Sequence, residues 1–178
     1  MCQLDSAVDL EILSALNEGL TKVYSIYKKV PLASLATVYR HLKALEERGF
    51  VEHEDGEYRI TFKGILALAY WENPKAIMTL REKYPDLTGE EIQEYVKALC
   101  NKVKRLDYLP VESLEDTLFF LIHDFKDFER FKGTKVERVM AYLCVSRCPI
   151  LQGKLKPELG VSALEREIDK CHQRFSHD

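Results

Sequence analysis

The chain predicts a mainly α-helical protein that carries one small antiparallel hairpin. Three observations lead there. Residues 34–48 form an amphipathic helix with a start signal and a stop signal. An alternating hairpin follows directly, over residues 50–61. Beyond residue 73 the chain is a series of helix starts with no strand signal. Ser34 is a good N-cap, because its hydroxyl can accept a bond from an orphaned backbone N–H. Val38, Leu42 and Leu45 recur at i, i+4 and i+7 and make a buried stripe. Thr37, Arg40, Lys43 and Ala44 occupy another face, and Gly49 supplies the left-handed residue that ends a helix. Phe50-Val51-Glu52-His53 then starts a strand, Glu54-Asp55-Gly56-Glu57 turns, and Tyr58-Arg59-Ile60-Thr61 returns.

Two helices precede this unit. The first covers residues 6–17, with Ala7, Leu10, Leu13, Ala15 and Leu16 on its apolar side and Gly19 behind it. Thr21 is expected to cap a second helix over residues 22–29, with Val23, Ile26 and Val30 inward. Pro31 ends it, because the residue before a proline avoids helical geometry. Pro31-Leu32-Ala33 is the turn that feeds the third helix. Two helices around a tight turn, with a hairpin behind the second, are the layout of a winged helix-turn-helix.

The segment SLATVYRHLKALEERGFVEHEDGEYRITFKG, above all TVYRHLKALEERGFVE and the closing YRIT.KG, resembles the recognition helix and wing of prokaryotic winged-helix transcription regulators. That group includes the ArsR, MarR, PadR and Fur types, and the motif is common to it rather than particular to one family. The resemblance spans roughly residues 7–72, about two-fifths of the chain; residues 73–178 carry none. It implies an N-terminal winged helix-turn-helix with a two-stranded wing that binds double-stranded DNA, with residues 34–48 in the major groove.

On that reading Arg40 can form a two-point hydrogen bond to guanine. Thr37 and Ala36 can touch a thymine methyl, and Ser34 can hold a phosphate. Tyr39 resembles the tyrosine that contacts DNA in Fur-type TVYR helices, although it could equally pack inward. Lys43, Lys28 and Lys29 suit phosphate contacts, which position without specifying. The alternative is a winged helix that docks protein, with these cations simply solvated.

Charge is the counterweight. The chain has 26 Lys and Arg against 29 Asp and Glu, a net charge of −3. Residues 1–64 alone hold eight Lys and Arg against ten Asp and Glu. Phosphate neutralisation dominates DNA affinity, so placement must compensate for the sum. Lys22, Lys28, Lys29, Arg40 and Lys43 sit on the helices that approach DNA. Glu46, Glu47, Glu52, Glu54, Asp55 and Glu57 fall at the far end and on the wing. The wing tip is therefore a poor minor-groove finger, expected to pack or to sit away from phosphate, with specificity coming from the helix.

After the hairpin, Thr61 can cap a helix over residues 62–71 that is apolar nearly all round and must be covered by something. Asn73-Pro74 is the expected boundary between a DNA-binding domain, 1–72, and a helical bundle domain, 73–178, for dimerisation and effector sensing. Helices are expected over 74–83, from Thr88 to about residue 106, from Ser113 through residue 131, from Thr134 to before Pro149, and from Ser162 to near residue 175. The strongly apolar stretch Leu118, Phe119, Phe120, Leu121, Ile122, Phe125, Phe128 and Phe131 is the expected centre of the bundle, with a dimer interface or an effector-pocket wall as the other readings.

No apolar run reaches the ~18 residues of a membrane span. The start Met1-Cys2-Gln3-Leu4-Asp5 has neither a basic flank nor an apolar core, so no signal peptide and a cytoplasmic location are expected. The five cysteines, Cys2, Cys100, Cys144, Cys148 and Cys171, are an odd number, which suggests free thiols. Cys144, Cys148, Cys171 and His172 could hold a metal if two helices met, but their spacing matches no zinc signature and small core residues are the ordinary reading. His123 and Asp124 have no third group or nucleophile to join them, and His41, His53 and His177 form no cluster. Neither enzymatic activity nor a cofactor is expected. The expected partners are double-stranded DNA, a second copy of the chain, and a small-molecule effector if one is sensed.

Overall fold

Ser6 opens the first helix, α1 (Ala7–Asn17), by accepting the Asp9 N–H on its hydroxyl. In the computed structural model, residues 4, 6–122, 129–147 and 166 are described. Helix α2 (Val23–Tyr27) is shorter than expected, and Thr21 does not cap it; Lys22 stands at the N-cap without a side-chain bond. The reason lies in the backbone. The Thr21 carbonyl accepts the Tyr58 N–H at 2.8 Å, so this residue is drawn alongside the wing instead of turning into the helix. Pro31, Leu32 and Ala33 then turn the chain into α3 (Leu35–Glu47).

The expectations for α3 hold residue by residue. Ser34 accepts the Thr37 N–H, Val38, Leu42 and Leu45 are fully buried, and Gly49 has φ +74°. Strands β1 (Val51–Glu54) and β2 (Glu57–Ile60) pair antiparallel, with Val51 opposite Ile60 and Glu54 opposite Glu57. Asp55 and Gly56 both have positive φ, which makes the two-residue turn whose twist suits a hairpin. Thr61 caps α4 (Phe62–Tyr70) while its hydroxyl donates to the Gly49 carbonyl, so one side chain ties the start of α4 to the end of α3.

Helix α4 is covered within the chain. It packs on α1, on α5 (Pro74–Lys83) and on α6 (Gly89–Lys102), and Leu66, Ala67, Leu68 and Ala69 are all fully buried. Asn73 caps α5 and also bonds Ser14 of α1. Helix α6 starts with the expected capping box, in which Thr88 and Glu91 satisfy each other's N–H. It ends at Lys102, four residues early, because Val103 is extended and the chain bends back to bury Leu106 in a 3₁₀ turn (Leu106–Tyr108) beside α4.

Helix α7 (Leu114–Leu121) likewise stops short of the expected residue 131. Ile122 is extended, and the Leu121 carbonyl accepts Lys102 Nζ at 2.6 Å. Helix α8 (Lys135–Arg147) starts where Thr134 predicted, with Glu137 N–H on the Thr134 hydroxyl. One continuous core of buried residues runs from α1 through α8. The described residues are mainly helical, with the hairpin as their one sheet. The helix expected from Ser162 lies outside the described residues, apart from helical Arg166, and so do Phe125, Phe128, His123 and Asp124. Among the described residues no helix is long and apolar enough to cross a membrane.

The cysteine expectation needs correction. Cys100, fully buried on α6, is disulfide-bonded. Parity alone could not reveal this, because an odd total leaves room for both pairs and single thiols.

Gly64 sets a tight point between wing and α4. A Cβ there would lie 2.5 Å from the Phe50 carbonyl oxygen and 2.6 Å from Ile60 Cγ1. Gly64→Ala is expected to destabilise the protein by about 1–3 kcal/mol through overpacking. Urea unfolding checks this, and an unchanged midpoint would show that the strand ends yield freely.

Candidate nucleic-acid interface

Burial of one face of α3 decides what the opposite face can do. At about 100° per residue, Ala36, Arg40, Lys43 and Ala44 point away from Val38, Leu42 and Leu45, and all four are exposed. Ser34, Leu35 and Tyr39 are exposed beside them, while Thr37 is half-buried. Tyr39 therefore does not pack inward. It lies near the wing, and its hydroxyl and Glu46 add to the burial that pushes the Tyr58 hydroxyl above its ordinary value.

The candidate contacts fall into two groups. Arg40 and Lys43 have no ion-pair partner among the described residues. Lys28 and Lys29 are exposed behind them at the end of α2, each already engaged: Lys28 Nζ sits 4.7 Å over the Tyr24 ring, and Lys29 lies 3.8 Å from the Glu18 carboxylate. Glu18 also takes Lys75 at 2.6 Å, and the Lys75 hydrogen bond and charge hold its carboxyl below the usual range. Ser34 and Thr37 share a hydroxyl–hydroxyl bond of 2.9 Å, in addition to the capping bond. Their side chains thus shape the helix start before they meet any ligand.

A feature of the sequence that net charge conceals becomes clear here. From Gly19 to Leu45 the chain has Lys22, Lys28, Lys29, Arg40 and Lys43 and not one Asp or Glu. The acidic residues resume at Glu46. A windowed charge count would have found this stretch, whereas the sum over residues 1–64 hid it. The wing projects: Glu52, His53, Glu54, Asp55 and Gly56 are all exposed, with the His53 ring stacked on Tyr58 at 4.0 Å. The tip of the wing therefore does not pack, while its base does: Val51 and Tyr58 are buried, and the strands lie against α1 and α3.

Two anchors of α3 were not visible in the sequence. Asp9, on α1, is buried, and its carboxylate accepts a hydrogen bond from His41 Nδ1 at 2.7 Å, which joins the middle of α3 to α1. At the other end Asp107, in the 3₁₀ turn, draws three cations together. Arg105 bonds it at 2.9 Å, Arg48 Nε lies 3.8 Å away, and Lys63 Nζ donates to its carbonyl at 2.8 Å. Burial pushes the Asp107 carboxyl up, but the Arg105 bond and charge, with Arg48, outweigh this and hold it below its ordinary value. Burial also lowers the Lys63 ammonium, against the pull of Asp107. Except for Arg105, which stands two residues from Asp107, these partners are too far apart in sequence for spacing to pair them.

Of the metal candidates, Cys144 is half-buried on α8, and Cys148, Cys171 and His172 lie outside the described residues. The described residues hold no cluster of three or more His, Cys, Asp or Glu suited to a metal.

Residues 6–78 match the family model described as winged helix-turn-helix. No curated protein and no solved structure matches the chain. The N-terminal part of the chain is thus a winged helix-turn-helix, a module that suggests DNA binding.

His41→Ala would leave the buried Asp9 carboxylate without its ring partner. The expected cost is about 1–3 kcal/mol, the desolvation penalty of a stranded acceptor, read as a lower urea midpoint. A variant as stable as the parent would show that the pair contributes nothing to holding α3.

Proposed function

We propose that this protein is a cytoplasmic, sequence-specific DNA-binding transcription regulator that acts as a homodimer. The recognition helix, 34–48, lies in the major groove. Arg40 reads guanine, Ala36, Thr37 and Tyr39 approach base edges, and Ser34, Lys43, Lys28 and Lys29 contact phosphates. The observation that carries this reading is the set of exposed cations on and beside α2 and α3, Lys28, Lys29, Arg40 and Lys43, in a stretch without acids from Gly19 to Leu45, within a winged helix-turn-helix. A module with a net acidic sum still offers phosphate a positive surface, because screening confines charge effects to about 8–10 Å.

On this reading residues 1–72 bind DNA, and residues 73–178 dimerise the protein and sense any small-molecule effector. Dimerisation follows from reach, since one recognition helix covers a few base pairs and two-fold pairing doubles the site. The exposed acidic wing supports a second reading, a protein-docking module, because Glu52, Glu54 and Asp55 would repel a phosphate backbone.

Selection of genomic fragments by the purified protein separates the two readings. An enriched motif with two-fold symmetry is expected; no enrichment at physiological salt would favour protein docking. At the selected site Arg40→Ala should cost about 1–3 kcal/mol of specific affinity, the worth of a two-point base contact, with little effect on non-specific DNA. Lys28→Ala should weaken all duplexes alike and reduce the salt slope by about one. Equal losses from Arg40→Ala on every sequence would remove Arg40 from base reading.

A further inference from the structure

Large apolar side chains crowd the start of the recognition helix without serving the core. Leu32 is 87% exposed, Leu35 44%, Tyr39 54% and Tyr24 59%, and none of the four packs on the central cluster. Leu32 stands on the turn, Leu35 is the first residue of α3, and Tyr39 follows Leu35 by one helical turn, which places it on the same side. Single exposed apolar residues are ordinary on protein surfaces. Here three stand within eight positions, beside Ala36, around the exposed first turn of α3.

The polar groups beside them are few. The Ser34 and Thr37 hydroxyls bond each other, and the Ser34 oxygen also accepts the Thr37 N–H. Arg40 and the Tyr39 hydroxyl remain for hydrogen bonds to bases. A recognition surface so composed has little means to read donors and acceptors, and ample means to read shape and methyl groups. In the major groove the group that answers is the thymine 5-methyl, which apolar side chains contact directly.

We infer that Leu32 and Leu35, beside Ala36 and Tyr39, read thymine methyl groups, so that the preferred half-site holds thymine next to the guanine met by Arg40. This rests on the DNA-binding reading above and names the sequence class it selects. The flanking cations, with no acid between Gly19 and Leu45, suit the phosphate walls of the groove. No part of the core depends on either leucine, so both can be removed without opening a cavity.

The test uses the duplex recovered by selection from random-sequence DNA, made once with thymine and once with deoxyuridine through the half-site. That exchange deletes the methyl groups and leaves every hydrogen-bonding group in place. The parent protein should bind the uracil duplex about threefold to fivefold more weakly per contacted methyl, the size expected for a methyl buried from water. The variant Leu32→Ala/Leu35→Ala should bind the two duplexes alike. Equal binding of both duplexes by the parent, or a selected half-site without thymine, would overturn the methyl reading and leave DNA binding standing. A uracil penalty that persists in the double variant would move the contact away from these leucines and overturn their assignment. Failure to bind any selected duplex would overturn the DNA reading itself, and this inference with it. The comparison on the parent protein needs no variant, so a folding defect cannot mask the answer.

Discussion

Burial of the Val38–Leu42–Leu45 stripe is the constraint from which the rest follows. Each of these side chains is fully buried and contributes about 1.5–3 kcal/mol on removal from water. A helix has only so many faces. Once that stripe is committed to α1, α2 and the wing, Ala36, Arg40 and Lys43 must face solvent. The surface offered to a partner is therefore the geometric complement of the core, and a change that rotated α3 would alter both at once.

Two polar anchors fix that rotation more finely than apolar burial can. Leucine and valine stripes tolerate small rolls of a helix, because dispersion contacts are many and individually weak. The Asp9–His41 bond and the Asp107–Arg48 contact are directional, and they act near the middle and the end of α3. Asp107 belongs to the turn after α6, so the helical second half touches the end of the recognition helix through a charged contact. Asn73, Lys75 and Thr79 add further bonds from the α5 region back to α1. The winged part and the helices after it share one core, and movement in the later helices has a physical route to α3.

Charge placement resolves the apparent conflict between an acidic chain and the proposed phosphate-binding face. No acid falls between Gly19 and Leu45; the acids resume at Glu46 and Glu47, at the far end of α3, and continue on the wing. Glu18 is held by Lys75 and Lys29, Glu91 by Arg138 and its capping box, and Asp107 by Arg105 and Arg48. Much of the negative charge thus faces internal partners, while Arg40 and Lys43 have none among the described residues.

The three-helix order, the Ser34 cap, the α3 stripe, the Asp-Gly hairpin turn and the starts of α4, α5, α6, α7 and α8 were all legible in the sequence. Each depends on residues within a turn or two of one another, where caps, glycine φ preferences and hydrophobic period act directly. Helix ends were less legible. The start of α2 is displaced by a backbone bond from Tyr58 to Thr21, α6 ends where the chain turns to bury Leu106, and at the end of α7 Lys102 reaches the Leu121 carbonyl. All three are long-range competitions that no local propensity contains. The same holds for the site: its residue types and their face could be read from spacing. The exposure of Leu32, Leu35 and Tyr39, the partner of His41 and the convergence on Asp107 were decided only when distant segments packed together.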